Sequence, residues 1–330
     1  EVISVFFGGG TPSAVDAGML ARVMEKLRSK YVFSEDAEIT LEANPGTLDA
    51  EKLKCYRKSG FNRISIGCQS VHDEELKRLG RIHTFAEFQE SFALARDAGF
   101  ANINVDLMSG LPEQSEEKWE ESLRTIAELS PEHISAYSLI VEEGTPFAAM
   151  AERGELPLPE EETERAMYEE TIEVLAKYGF HRYEISNYAR DGYECRHNVG
   201  YWIRRDYLGF GIGAASLIDN VRFQNEKSLG AYLAHPLESR EEEQTLTVQD
   251  RMEETMFLGL RLTRGVSCVD FAEQYGRTVE EVYGEVIARN VADGLLTVTE
   301  RKENQKKDRL LALTKRGLDL SNYVMAQFLF

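Results

Sequence analysis

The sequence predicts an α/β protein: a partial parallel (β/α) barrel that lacks its first strand, followed by a helical, winged-helix-like C-terminal domain. Three observations carry that expectation. Short apolar runs rich in Val, Ile, Phe and Tyr alternate with amphipathic stretches through the first two-thirds of the chain. Polar or glycine-bearing residues recur where each run stops. From residue 250 the alternation gives way to helix, helix, helix and hairpin. The expected domains are a barrel with a site-building loop region over 1–225, a connector over 226–249 and the C-terminal domain over 250–330.

The strands are expected at 3–7 (ISVFF), 38–43 (EITLEA), 62–67 (NRISIG), 102–107 (NINVDL) and 133–140 (HISAYSLI). Their near-continuous apolarity fits strands covered on both faces of a parallel sheet. A first helix is expected to start at Ser13, with Asp16 three residues on as a capping box and Leu20, Val23 and Leu27 as its buried stripe. Further helices are expected near 48–59, 84–98 and 116–129, and a longer acidic one over 160–178. The stretch 181–216 is dense in aromatics, Asn and Gly, and reads as a strand followed by irregular loops. In the C-terminal part, "LTVTERKENQKKDRLLALT" reads as two strands around a charged turn, and "KRGLDLSNYVMAQFLF" as a last helix.

Composition narrows the function. The 330 residues carry 38 Lys+Arg against 57 Asp+Glu, a net charge of −19. That disfavours non-specific nucleic-acid binding, which needs a basic face. Over 250–330 the charges nearly cancel, 12 basic against 13 acidic. Arg301, Lys302, Lys306, Lys307 and Arg309 cluster on the expected wing, but Glu280, Glu281 and Glu285 precede it, so a solvated hairpin tip is favoured over a DNA contact. No apolar run of transmembrane length is present, and no signal peptide is visible. Cys55, Cys68, Cys195 and Cys268 match no C-x-x-C or zinc spacing and fit a reducing, cytoplasmic setting.

The chemistry-bearing residues sit at the expected strand ends. "GGGTPS" bares backbone N–H groups after the first strand, which suits an anion but serves tight packing equally well. Glu42 ends "TLE", Gln69 ends "SIGCQ", Arg81 lies in the loop "RLGRIHT", and Asp106 closes an apolar strand where it needs a partner. As a set, Gly9, Gly10, Thr11, Glu42, Gln69, Arg81 and Asp106 offer groups for an amine, a carboxylate, a ribose and an adenine. The segment "HNVGYW" adds His197, Asn198, Tyr201 and Trp202: an imidazole, an amide and two flat apolar faces. A satisfied histidine in an aromatic core is the plainer reading, and Cys195, two residues before His197, offers a thiolate as an alternative ligand.

"FFGGGTPS", "LEANPGTL", "RISIGCQS", "LGRIHT", "DLMSGLP", "HISAYSL", "EEGTPF" and "YEISNYA" resemble, in order and along nearly the whole chain, the radical S-adenosylmethionine proteins related to oxygen-independent coproporphyrinogen III oxidase. "HNVGYW" resembles the HNxxYW motif of the HemW family of heme chaperones within that group. The resemblance implies S-adenosylmethionine on the seven barrel residues, with its methionine part at Gly9, Gly10 and Thr11, and heme at His197, Asn198, Tyr201 and Trp202. It implies a 4Fe-4S cluster on a C-x-x-x-C-x-x-C loop, expected upstream of Glu1, so that the chain is read as an N-terminally truncated piece holding no cluster ligand. Implied partners are heme or porphyrin, heme-accepting proteins and an electron donor, with any membrane contact made through those partners. The implied function is a heme chaperone. The alternative is an enzyme, an oxygen-independent coproporphyrinogen III dehydrogenase. "GIGAASL" carries Ala214, Ala215 and Ser216 where the family often has a histidine, so no role resting on that histidine transfers.

Overall fold

The structure, a computed structural model, describes residues 1–236, 240–303 and 306–330. It divides into two compact units, Glu1–His197 and Asn198–Phe330.

In the first unit, β1 (Val2–Phe7), α1 (Ala17–Lys30), β2 (Phe33–Ala43), α2 (Ala50–Lys58) and β3 (Arg63–Gln69) open the alternation. They are followed by α3 (Asp73–Arg78), α4 (Phe85–Asp97), β4 (Ile103–Ser109), α5 (Glu116–Glu128) and β5 (His133–Ser138). The remaining elements are α6 (Pro146–Glu152), α7 (Glu161–Lys177), β6 (His181–Arg182), β7 (Asn187–Ala189) and the start of α8 (Arg196–Trp202). One curled seven-stranded sheet runs in the order β1-β2-β3-β4-β5-β7-β6. β1 to β5 are parallel; β7 pairs antiparallel with β5, and β6 antiparallel with β7. This is a half-barrel with helices on its outer side.

The outer face of each strand builds the core. Ile39 and Leu41, Ile64 and Ile66, Ile103, Val105 and Leu107, and Ile134 pack with Met24, Leu53, Phe88, Trp119 and Leu123 of the helices. The inner face corrects the sequence expectation. The strands are not apolar on both sides but alternate with period two. Glu38, Thr40 and Glu42 face inward, as do Arg63, Ser65 and Gln69, Asn104 and Asp106, and His133, Ser135 and Tyr137. Part of the inner face bonds to itself, Asn104 with Ser65, Asp106, His133 and Ser135, and Tyr137 with Gln69, while Thr40 Oγ1 and Arg63 Nε are buried without a partner among the described residues.

Three helix expectations need correction. α1 starts at Ala17, capped by Asp16 Oδ1 accepting from the Met19 N–H at 3.2 Å, because Pro12–Ala14 forms a separate 3-10 turn. Its buried side carries Ala17, Leu20 and Met24, while Val23 is exposed. The region expected as loops contains the helix α8 over the HNVGYW segment. The last expected helix is two short ones, α13 and α14 below.

In the second unit, β8 (Ala215–Ile218), β9 (Val221–Asn225), α9 (Leu229–Ala234) and β10 (Arg240–Thr245) come first. The β8–β9 hairpin turns on Asp219 and Asn220, at φ 50° and 65°, the left-handed pair that a two-residue hairpin requires. Next come α10 (Val248–Gly259), β11 (Val266–Ser267), α11 (Cys268–Tyr275) and α12 (Val279–Ala292). β12 (Leu296–Glu303), β13 (Lys306–Leu313), α13 (Lys315–Asp319) and α14 (Ser321–Ala326) complete it. β11, β13 and β12 form a small antiparallel sheet. Within the expected basic wing, Arg309 is paired with Glu280 at 2.9 Å, while the side chains of Lys302 and Lys306 lie outside the described residues. Among the described residues, no helix is long and apolar enough to cross a membrane.

The central strand gives a test of this core. Ile66→Ala empties a fully buried position between β2 and β4. It should cost about 2–5 kcal/mol of stability in urea unfolding. A loss below about 1 kcal/mol would place Ile66 outside a close-packed core.

Candidate functional site

The seven barrel residues gather at the carboxyl ends of the parallel strands and the loops that follow, the end where (β/α) barrels build their sites. β1 ends in Gly8-Gly9-Gly10. Gly9 and Gly10 have φ of 81° and 150°, and no atom lies within 4 Å of where a Cβ would sit on either. The open backbone there is therefore a cradle. Gly8 is different: its Cβ would meet Glu42 Oε2 at 2.7 Å and Phe6 Cε1 at 2.9 Å. Glycine at position 8 is what lets the Glu42 carboxylate lie against β1.

The loop is held from its neighbour. Asn44 Nδ2 donates to Thr11 Oγ1 at 2.9 Å, Ser13 Oγ meets Thr47 Oγ1 at 2.6 Å, and Lys52 Nζ donates to the Ser13 carbonyl at 2.9 Å. Sequence reasoning placed Thr11 in the binding set and Asn44 at a strand end, but gave Asn44, Ser13 and Thr47 no part in the site, although "ANPGT" stands directly after Glu42.

Glu42 accepts from the Gly9 N–H. Burial, helped by the nearby Asp106 charge, raises its pKa. Asp106 is half-buried and also raised, again chiefly by desolvation, against hydrogen bonds from Asn104, Ser135 and Ser65. Asn104 Nδ2 lies 2.8 Å from Asp106 Oδ1, and Ser65 Oγ 3.2 Å from Asp106 Oδ2. Gln69 holds φ 71°, uncommon outside glycine, where the β3–β4 register slips. Its Oε1 accepts from Tyr137 OH at 3.1 Å. Arg81 lies in the loop between α3 and α4, near enough for its charge to act on Tyr137. Tyr137 escaped sequence reasoning, though its alternation with His133 and Ser135 marks it as inward.

Deeper in the barrel runs a second network. His133 is buried and kept neutral by desolvation, well below its usual pKa. Its Nδ1 lies 2.5 Å from Asn104 Oδ1 and its Nε2 2.9 Å from Tyr183 OH. An amide oxygen only accepts, so the proton belongs on Nδ1. Tyr183 OH also accepts from the Cys195 N–H at 3.3 Å. Glu38, buried, takes the Arg196 N–H at 3.1 Å, the His197 N–H at 3.2 Å and the Cys195 thiol at 3.5 Å.

α8 thus begins at the barrel wall. Its spacing pairs His197 with Tyr201 and Asn198 with Trp202, each four residues apart and on a common helix face. The unit boundary falls within α8, after His197. The His197 ring stacks on Phe6 of β1, with centroids 4.6 Å apart and planes at 19°. Burial pushes its pKa down to about 4, so it is neutral at neutral pH. In the second unit Tyr201 meets Tyr207 edge-on at 4.7 Å, and the Arg261 guanidinium covers one face of Trp202 at 4.3 Å. Just past the helix, Arg204 Nε donates to Glu254 at 2.7 Å, and Arg222 donates to the same carboxylate at 2.7 Å.

The donor set fits an aminoacyl nucleoside. Carboxylates at Glu42 and Asp106 suit an ammonium and ribose hydroxyls, Gln69 and Tyr137 suit a base edge, and Arg81 suits a carboxylate. A 4Fe-4S cluster is not matched in the same way. None of the four cysteines forms a disulfide, and Cys68 and Cys195 are buried. Among the described residues no three His, Cys, Asp or Glu are placed to hold a metal ion.

The raised carboxylates set a pH test. A carboxyl whose pKa rises on folding stabilises the fold while protonated and loses that contribution as pH climbs through the folded value. Asp106→Asn removes the cost of ionising there. In urea unfolding across pH 4 to 8, the variant should gain stability relative to the parent as pH increases. A difference that shrinks with rising pH would overturn the assignment.

The Radical SAM superfamily profile matches residues 1–126, and the HemN C-terminal domain profile matches 246–320. The heme chaperone HemW of Bacillus subtilis is 38% identical, over 100% of this chain and 86% of its own length. Its Escherichia coli counterpart is 37% identical, over 90% of this chain and 78% of its own length. Coproporphyrinogen III oxidase (HemN) of Escherichia coli superposes with a TM-score of 0.80, at 24% identity, over 99% of this chain and 77% of that one, and so shares the fold. The half-barrel, the ordered motifs and these full-length identities converge: the chain belongs to the HemW family of heme chaperones, within the radical SAM superfamily.

Proposed function

We propose that this protein binds heme and S-adenosylmethionine and delivers heme to acceptor proteins. The observation that carries the reading is α8: an intact HNVGYW segment whose histidine is neutral, the form that ligates iron. His197 is the axial ligand in this reading. Asn198, Tyr201 and Trp202 support the porphyrin. Cys195 is set aside as a ligand, because its thiol is buried and bonded to Glu38.

In the barrel, the open backbone of Gly9 and Gly10 and the Thr11 hydroxyl receive the methionine part of S-adenosylmethionine. Glu42 takes the ammonium, and the Gly9 N–H keeps it oriented. Asp106, Gln69 and Arg81 complete the nucleoside side. The 4Fe-4S cluster that the superfamily implies has no ligand set among the described residues. The heme-accepting partners, an electron donor and a cytoplasmic setting belong to the same reading.

The test is a hemin titration of the parent protein and His197→Ala. The parent should show a Soret band that His197→Ala shifts or abolishes. An identical spectrum and affinity in the variant would remove His197 as the ligand. Incubation of the intact protein with coproporphyrinogen III, S-adenosylmethionine and a reductant should leave the porphyrinogen unconverted. Formation of protoporphyrinogen would establish the dehydrogenase instead.

A further inference from the structure

In the second unit, residues 208–213 set apolar side chains on a fixed backbone. Glycine stands at every second position, 209, 211 and 213. The Gly209 N–H donates to the buried Ser216 hydroxyl at 3.0 Å, and its carbonyl accepts from Asn225 Nδ2 at 3.1 Å. The Gly211 N–H reaches Tyr232 OH of α9 at 3.1 Å, and its carbonyl takes the same Asn225 amide at 2.9 Å. The Gly213 N–H donates to the Glu226 carbonyl at 3.1 Å, and its own carbonyl accepts from Gln224 Nε2 at 2.8 Å. A Cβ on Gly209 would lie 2.3 Å from the Ala215 carbonyl oxygen, so this position closes against β8 only as glycine. Every polar backbone group of the three glycines is thus bonded. The side chains between them, Leu208, Phe210 and Ile212, are 43%, 61% and 50% exposed. Glycine is costly to order, and large apolar side chains in water gain nothing for the fold. Apolar groups held out together on a fixed frame mark a contact surface.

Position and charge identify the contact. The Tyr201 ring of the HNVGYW motif meets Tyr207, the residue just before the segment, at 4.7 Å. Tyr207 is in turn tied to Leu217 of β8 by paired backbone hydrogen bonds of 2.9 Å. The surface therefore begins one ring contact from the motif. In a chain of net charge −19, it is bracketed by two exposed cations, Arg205 and Lys227. The Arg205 N–H donates to the Gly200 carbonyl of α8 at 2.8 Å, and Lys227 Cγ lies 3.8 Å from where a Cβ on Gly213 would sit. The neighbouring acids are turned back onto the chain: Asp206 accepts from the Asp219 N–H at 3.3 Å, and Glu226 from the Ser228 N–H at 2.8 Å. A heme presents a flat apolar macrocycle with two carboxylates on one edge, which matches an apolar patch with a cation at either end.

We propose that Leu208, Phe210 and Ile212 receive the apolar macrocycle of heme, and that Arg205 and Lys227 take its carboxylates. The proposal rests on the reading of this protein as a heme chaperone. It adds to the motif a contact that recognises the porphyrin rather than the iron.

The experiment titrates the parent, Phe210→Asn, Ile212→Asn and an Arg205→Glu/Lys227→Glu double variant with hemin and with hemin dimethyl ester, whose carboxylates are capped. The apolar replacements fall at exposed positions, where substitution changes stability little. Each should weaken binding of both compounds by about tenfold or more, because it withdraws a large apolar side chain from the macrocycle. The Soret maximum of the bound form should stay where it is, since the iron ligand is unaltered. The parent should prefer hemin to its ester by about threefold or more, the scale of exposed ion pairs. That preference should shrink with added salt and vanish in the double variant. Parental affinity in both apolar variants, or an undiminished preference for hemin in the double variant, would overturn the proposal. If His197→Ala still shifts the Soret band in that event, this surface alone falls. If the parent binds no hemin, the heme chaperone reading fails and takes the surface with it.

Discussion

Arg63 is a guanidinium enclosed in the barrel at 2% exposure, and the inner face of the first unit is arranged around its charge. Desolvation opposes that charge, yet its pKa is raised, with the nearby Glu38 and Asp106 carboxylates among the groups that favour the cation. Ions taken out of water cost several kcal/mol each unless compensated. A barrel that buries Arg63 must therefore bury acids near it. The acids near it, buried Glu38 and half-buried Asp106, are the ones that anchor α8 and stand towards the mouth of the barrel.

The inner residues then fall into two roles. Towards the mouth, Glu42 and Asp106 lie close enough to raise each other's cost of ionisation, beside open glycine backbone. Such a pair is a poor structural device and a good receptor for an ammonium and hydroxyls. Towards the floor, His133, Asn104, Tyr183 and Cys195 form a bonded chain with a defined proton on His133. That chain keeps the sheet edge and the start of α8 in register with β2.

Much of this was legible in the sequence. The five parallel strands, the helices between them and the residues at the strand ends follow from apolar periodicity and from Gly, Asn and Pro at the boundaries. The inward network was legible too, in the strict alternation of Glu38, Thr40 and Glu42 and of Arg63, Ser65 and Gln69, but the aliphatic residues between them dominate any average of apolarity. α8 was hidden for another reason. Its seven residues include Asn, Gly, Tyr and Trp, weak helix formers, and its first turn is secured by Glu38, which lies 158 residues away from Arg196 in sequence. No local pattern reports a capping group so distant. The β8–β9 hairpin left only the Asp219-Asn220 pair as its trace.

The placement of α8 also bears on how its motif is read. H-N-x-x-Y-W is a spacing of two pairs, each one helical turn apart, so it has meaning only if the segment is helical. Read as a loop, the four residues are a collection. Read as a helix, His197 and Tyr201 share one face, and Asn198 and Trp202 share the next. The start of that helix is held by Glu38 and Phe6 within the first unit. Its end is held within the second, by the Arg261 stack on Trp202 and, just beyond, by the Arg204–Glu254–Arg222 cluster. A seven-residue helix is marginal on its own. Its start depends on the first set of contacts and its end on the second. A substitution at Glu38, outside the motif, is accordingly expected to act on the presentation of His197 at the start of the helix.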